Sequence, residues 1–293
     1  CIVDITAVLD RYDVFRTIGQ ENNFSKIGEI SFSGSSPINF NDKQVLTNEN
    51  FYLYEIYPVD TCNQTLSPPP YNAPEYMYDT SFAQTIFLQS EINKDYSESP
   101  SIDGEYTNTI IFNEYDKWLG DVSEYRLYRS VNREEFNLIP LYVWDRFNYP
   151  QEPLEFIDVV TNFGDGNGRF CYYIEAVEGI ETPYGSALEG SLSNISCISQ
   201  TPVIYVPNTF TPNGDDHNEV FRPITYFVSE KGYSFSIYNR AGESIFKTDN
   251  PQKGWDGYYK GKEAQNGDYV YHIQFINSLG KLAEKTEIIH LVR

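Results

Sequence analysis

Apolar and polar residues alternate along this chain in short runs, and nowhere do they sustain the period of about 3.6 residues that marks an amphipathic helix. In Tyr125–Arg129 the apolar groups of Tyr125, Leu127 and the neighbouring Tyr128 are interleaved with Arg126 and Arg129. Further along, Tyr269, Tyr271, Ile273 and Phe275 fall on one face of a strand, because successive side chains in a strand point to opposite faces. Clusters of Gly, Pro and Asn separate such runs at the spacing of a β-sandwich. The pattern predicts an all-β chain.

The runs repeat. Tyr12–Arg16, Ile38–Asp42 and Tyr54–Asp60 reappear in the same order as Tyr125–Arg129, Leu154–Asp158 and Tyr172–Glu178, at offsets of 113, 116 and 118 residues. Small drift with constant order is what a duplicated module with variable loops gives. Before Tyr12 there is too little chain for two full strands and a turn, so the first module reads as truncated. The segment Ser199-Gln200-Thr201-Pro202 ends the repeat, and a different pattern follows. The expected organisation is a truncated module over 1–80, a second module over 81–200, and a small C-terminal β-sandwich over 201–293.

That last region has the densest motifs. They are Val206–Phe221, with Pro207-Asn208-Thr209-Phe210-Thr211-Pro212-Asn213-Gly214-Asp215 at its centre, then Ile237–Phe246, Gly254–Gly261 and Asn266–Tyr271. Asn239-Arg240-Ala241-Gly242 reads as a turn between strands, with Gly242 free to adopt positive φ. The closing strand is expected to run to Leu291-Val292-Arg293 and to be built into a sheet.

Aromatic residues make up 16% of the 293-residue chain, including 25 Tyr and 19 Phe, which reinforces the sheet reading. Lys and Arg total 21 against 42 Asp and Glu, a formal net charge of −21. A field of that sign repels phosphate backbones and anionic lipid, which removes nucleic acid from the plausible partners. No apolar run reaches the ~18 residues of a membrane-spanning helix. The four cysteines, Cys1, Cys62, Cys171 and Cys197, make no metal-binding spacing. Cys171 and Cys197 lie 26 residues apart in one module, which suits a local disulfide in an oxidising compartment, against the alternative of two buried thiols.

With these residues in view, resemblances emerge. Tyr125-Arg126-Leu127-Tyr128-Arg129, the later Phe156-Ile157-Asp158, and Phe170–Val177 resemble strands of fibronectin type III-like modules. Tyr106–Trp118 is similar to the strand and loop that precede them, although Asn113 stands where a core Trp is common. The fold expected is tandem immunoglobulin/fibronectin III-like β-sandwiches. Residues 202–293 resemble the gliding-motility-associated, type B C-terminal sorting domain of the Bacteroidetes type IX secretion system. Asp216-His217 and Ala241 depart from the usual family pattern. The resemblance implies a secreted cargo, associated with the outer membrane at the cell surface and handled by the type IX machinery. It also implies a PorP/SprF-like outer-membrane protein and a PorV-like shuttle as partners, and a connection with gliding adhesins. Asn213, Gly214, Asp215, Trp255, Asp256 and Gly257 are the motif residues expected to meet them. Leu291, Val292 and Arg293 join these because a strand ending there would leave backbone groups for a partner to pair.

Candidate chemistry adds little. Asn213, Asp215 and Asn218 could contribute oxygens to a calcium ion, but an Asx-type turn accounts for the same loop. Gly164-Asp165-Gly166-Asn167-Gly168 lacks the following helix of a phosphate cradle and reads as a hairpin loop. His217, His272 and His290 have no accompanying nucleophile motif, and no cofactor is implied, so no enzyme is expected. Trp118, Trp144, Trp255 and the tyrosines leave a glycan-binding surface as an alternative function, and an anchor for an upstream hydrolase as another.

Overall fold

A computed structural model describes residues 9–19, 23–31, 40–47, 49–60, 81–93, 105–115, 122–132, 134–145, 154–179, 190–277 and 280–293. Cys1, Cys62 and Trp118 lie outside these residues. Among the described residues the chain is built from strands, with a single 3₁₀ turn at Thr161–Phe163.

The first sheet contains β1 (Leu9–Ile18), β2 (Ser25–Ser31), β3 (Tyr52–Asp60) and β4 (Ser81–Gln84) in the order β2-β1-β3-β4. Because Ser81–Gln84 pairs with β3, this sheet extends past residue 80. The second module has β5 (Leu88–Ile92), β6 (Thr107–Phe112) and β9 (Leu154–Val159) in one sheet. Its other sheet holds β7 (Val122–Val131), β8 (Tyr142–Asp145), β10 (Arg169–Glu178), β11 (Gly190–Leu192) and β12 (Ser196–Ser199). Between the two sheets Ile110, Leu127, Phe170, Tyr172 and Ile174 are fully buried, and Trp144 packs on Phe112 and Phe156. This is the expected sandwich.

The repeat is visible in the pairing register. In the first module Tyr12 pairs with Pro58, Val14 with Ile56 and Phe15 with Glu55. In the second, Tyr125 pairs with Ala176, Leu127 with Ile174 and Tyr128 with Tyr173, each shifted by the same 113 and 118 residues as the sequence blocks. A polar triad repeats as well. Arg16 Nη1 donates to Asp42 Oδ2 at 2.7 Å, and Tyr54 Oη donates to the same oxygen at 3.2 Å. The counterparts are Arg129 Nη1, at 2.6 and 2.8 Å from the two Asp158 oxygens, and Tyr172 Oη, at 2.8 Å from Oδ2. In the second module Asn108 Nδ2 then donates to Tyr172 Oη, and Gln200 Nε2 to Asn108 Oδ1, both at 2.7 Å. Burial and then the Asp158 charge push the Tyr172 hydroxyl far above its ordinary range, so it stays a donor.

Two expectations fail here. The block Ile38–Asp42 was expected to be a strand. Phe40–Asp42, its described part, is not one, because Asp42 turns its carboxylate onto the Gln44 N–H as well as onto Arg16. An Asp that binds its own backbone two residues on favours a turn over a ladder. The Gly164–Gly168 loop is not a hairpin either. It carries the chain from β9, paired with β6, to β10, paired with β7, and so crosses between sheets.

Cys171 and Cys197 are bonded, and they face each other directly in the β10–β12 register with Cα atoms 4.1 Å apart. Replacing Cys197 with Ser is expected to lower the stability of the oxidised protein by about 3 kcal/mol, chiefly by freeing the unfolded chain. Urea midpoints measured with and without reductant check this. The wild type should shift on reduction by about that much more than the variant.

The C-terminal domain adds β13 (Val203–Tyr205), β14 (Thr209–Phe210), β15 (Ile224–Tyr226), β16 (Ser234–Tyr238), β17 (Ser244–Thr248), β18 (Tyr258–Tyr259), β19 (Lys262–Glu263), β20 (Gly267–Ile276) and β21 (Leu282–Leu291). Its main sheet has the order β14-β21-β20-β16-β17. Phe235, Ile237, Tyr269, Tyr271, Ile273, Ile289 and Leu291 of that sheet form one core with Phe210 of β14 and with Phe221 and Trp255 from the connecting segments. The alternation read from the sequence in Tyr269–Phe275 is the core face of β20.

Candidate functional site

Two of the four motifs of the C-terminal domain, Val206–Phe221 and Gly254–Gly261, meet its closing strand across more than 80 residues of chain. The first is the loop after β14. Gly214, Asp216 and Asn218 all have positive φ, at 84°, 65° and 53°. Gly, Asp and Asn are the residues that tolerate this region. Asn213 Oδ1 accepts the Asp215 N–H at 3.1 Å, and Asp215 Oδ1 accepts the His217 N–H at 2.9 Å. Glu219 Oε1 accepts the N–H groups of Gly214 and Asp215 at 2.8 and 2.9 Å. The loop is thus a chain of Asx turns closed by a glutamate. Asn213 Oδ1 and Asp215 Oδ1 are aimed at the loop's own backbone, and Asp215 Oδ2 accepts the Asn213 side-chain amide at 3.1 Å. Among the described residues no group of three or more His, Cys, Asp or Glu side chains could hold a metal ion.

The second motif is Gly254–Gly261. Trp255 exchanges both backbone hydrogen bonds with Phe221, at 2.8 and 2.9 Å, and its indole N–H donates to the Tyr258 carbonyl at 2.8 Å. Its ring lies 5.3 Å from Phe210 and 5.0 Å from Tyr269. Asp256 Oδ1 accepts the Tyr258 N–H at 3.0 Å, which makes the following turn. Gly257 is required there, with φ of 78° and space so tight that a Cβ would sit 2.8 Å from Arg293 Nη2.

The third motif is the closing strand. Leu291 is buried, Val292 is about half exposed, and Arg293 reaches back across the domain. Its guanidinium donates to the carbonyls of Pro212 at 2.9 Å, Gly257 at 3.0 Å and Ala264 at 2.6 Å, so it joins all three motifs. A planar fork of five donors suits three separate carbonyls in a way an ammonium does not. Replacing Arg293 with Ala is expected to destabilise the domain by about 2 kcal/mol, with Lys recovering only part of it. Urea unfolding followed by Trp255 fluorescence measures both.

The end of β21 is not the open edge that was expected. His290 and Leu291 pair in parallel with Thr209 and Phe210 on one side and antiparallel with Asp268 and Gly267 on the other. The Val292 N–H donates to the Phe210 carbonyl at 3.2 Å. Trp255 and Leu291, both 1% exposed, are core residues with no surface to offer a partner. Asn213, Gly214, Asp215, Asp256 and Val292 do present surface.

Beside this cluster lies a feature the sequence pattern did not reveal, an open hollow of about 600 Å³ lined by Arg240, Tyr259, Lys260, Lys262, Asp268 and Tyr269 among others. Arg240 pairs with Asp268 at 3.4 Å and Lys260 with Glu243 at 3.1 Å. The Tyr259 hydroxyl, then Lys260, hold the Glu243 carboxyl below the usual carboxylate range. The signal that could have found this region is charge. Residues 202–293 carry 10 basic and 11 acidic side chains, against 11 and 31 in residues 1–201.

Fold and site together define a tandem β-sandwich protein that carries a specialised C-terminal domain locked by its own motifs. Residues 204–291 match the family model of the CHU_C type IX secretion signal domain. The domain is accordingly a type IX C-terminal sorting domain, and the chain is a type IX cargo, destined for export to the cell surface or the medium. No curated protein matches the chain. Among solved structures it is similar to a tetra-tandem repeat in the extending region of a large adhesion protein (10% identity, TM-score 0.31, 98% of this chain and 68% of that one). It is also similar to dimeric latent PorU from Porphyromonas gingivalis (11%, 0.20, 98% and 30%) and to chicken CNTN1 FN1–FN3 domains (12%, 0.19, 99% and 91%). These likenesses are too distant to add to the fold seen directly. Among the described residues no helix is long and apolar enough to cross a membrane.

Proposed function

We propose that this chain is the C-terminal part of a non-catalytic surface adhesin or stalk protein whose sorting domain is read, folded, by the secretion machinery at the outer membrane. A PorP/SprF-like barrel protein, with a PorV-like shuttle, is the receptor in this reading, and gliding motility is the process it serves. The observation that carries the proposal is the convergence of the Val206–Phe221 and Gly254–Gly261 motifs and the Ala264 segment on Arg293. Recognition of a linear peptide would not need three distant segments tied to one guanidinium, whereas recognition of a folded surface would. Charge supports the same division of labour. The near-neutral sorting domain meets a protein receptor without the repulsion that the acidic sandwiches impose, and those sandwiches stay solvated outside.

The test is a periplasm-directed fluorescent reporter joined to residues 86–293, expressed in a type IX-competent host. Surface display is expected with the intact segment and periplasmic retention after Trp255→Ala. Equal display of the two would overturn the proposal, and loss of display in a host lacking the barrel protein would identify the receptor.

A further inference from the structure

Between the second sandwich and the sorting domain the chain forms a ribbon of β13 and β15, with Val203 opposite Tyr226 and Tyr205 opposite Ile224. Adjacent residues of this ribbon and its continuation enter different cores. Val203 and Phe227 are buried in the core of the second sandwich, whereas Ile204 and Val228 belong to that of the sorting domain. In β13 this is the period-two alternation of a strand, used to serve two domains at once, whereas past the end of β15 it is the positive φ of Phe227 that divides Tyr226 and Phe227 from Val228.

The receiving surface is the Gly164–Gly168 crossover. The Phe227 N–H donates to the Gly164 carbonyl at 2.6 Å, and the Gln200 N–H to the Gly168 carbonyl at 2.9 Å. Phe227 packs edge-on against Tyr106 at 5.1 Å and Phe170 at 6.2 Å. A Cβ at Gly164 would stand 2.4 Å from the Tyr226 ring, and one at Gly168 would stand 2.7 Å from Phe227 Cβ. Gly164 and Gly168 are therefore accounted for by the close approach of two aromatic residues, with Gly168 also at a φ of 73°, while Gly166 makes room for the Asn132 side chain. Phe227 itself has φ of 57°, a strained conformation for a bulky residue that survives only where surrounding contacts over-determine it. At the rim, Gln252 Nε2 donates to Asp165 Oδ1 at 2.7 Å. The intervening Gln200 and Thr201 are buried, and Gln200 completes the Asn108–Tyr172–Asp158 network, so this segment is not a flexible linker.

We propose that the glycine crossover is a socket for Tyr226–Phe227, making the sorting domain and the second sandwich one cooperative folding unit with a fixed angle between them. The secretion signal then reaches its final stability only on a folded cargo module. This holds whichever receptor reads the signal.

The experiment uses the full chain, with hydrogen exchange across a urea series and limited proteolysis mapped by mass. In the wild type, β10 and β20 are expected to lose amide protection at the same urea concentration, and the 199–203 segment should resist cleavage. Gly164→Ala is the decisive variant. Gly164 has φ of −58° and ψ of −26°, which alanine adopts freely, so the substitution acts chiefly through the clash with Tyr226, with a lesser approach to the Thr161 carbonyl at 3.3 Å. It should separate the two transitions and raise cleavage at 199–203 by about tenfold or more, because proteolysis follows the population of the open form. Phe227→Ala should do the same by removing the plug. Separate transitions in the wild type, or wild-type cleavage at 199–203 as fast as in Gly164→Ala, would overturn the proposal. Should Phe227→Ala fail to fold, the wild type and Gly164→Ala still decide it.

Discussion

Replacing Trp255 with Ala is expected to cost the sorting domain about 3–5 kcal/mol, the range for emptying an aromatic site in a core. Small domains have only about 5–15 kcal/mol in total, so much of the stability margin goes with one side chain. The reason is position. Trp255 is the residue at which Phe210, Phe221 and Tyr269 meet, and its indole N–H fixes the turn that presents Asp256 and Gly257. Urea unfolding followed by far-UV circular dichroism and by hydrogen exchange in β20 measures the loss. A shift in midpoint below about 1 kcal/mol would show that the covering layer re-forms around the gap, and that the motif is not the keystone described above.

The second large effect is expected at Asp158. Substituting Ala leaves the partly buried Arg129 guanidinium and the buried Tyr172 hydroxyl without their acceptor. Removing one partner of a buried pair costs about 3–5 kcal/mol, well above the worth of the pair itself, because the remaining charge stays buried. Tyr172→Phe, which removes a single hydrogen bond, should cost about 1 kcal/mol. Asp42→Ala in the first module should fall between these, since among the described residues no counterpart of Asn108 and Gln200 extends its triad. Burial works to raise the Asp42 carboxyl, but the Gln44 N–H and Arg16 outweigh it, and the folded value lies below the usual range. The unfolded chain then binds the proton more readily. The Asp42 contribution is present above about pH 4 and is lost as the pH falls through the lower, folded value. Urea midpoints for the three variants, and for the wild type between pH 6 and 3, provide the check.

Much of this was legible in the residues. Strand faces followed directly from alternation, since Tyr125, Leu127 and Tyr269–Phe275 bury the groups that the pattern placed inside. The duplication was legible too, and its offsets carry over into the pairing register without change. Arg16, Asp42 and Tyr54 all lay within the repeated blocks, yet their triad was not readable, because strand periodicity says nothing of which polar side chains converge across sheets. The Gly164–Gly168 loop was misread for a related reason. Glycines that make room for a distant aromatic residue look like those of a tight turn until the aromatic is placed. The expected edge at Leu291–Arg293 failed because its neighbour, the two-residue β14, is too short to announce itself as a strand and pairs in parallel with a segment far along the chain.

That short parallel pairing has a consequence for timing. It joins segments separated by roughly 80 residues, and closing so long a loop is favourable only once β21 has arrived to reward it. A chain that emerges from its N-terminal end, from a ribosome or a translocon, can pair β16 with β17 and β20 as they appear, but β14 and one edge of β20 must wait for the last strand. Until then the domain lacks Ile289, Leu291 and the Arg293 clasp, and the edge of β20 lies open to chaperones. The sorting domain therefore completes its sheet late by construction.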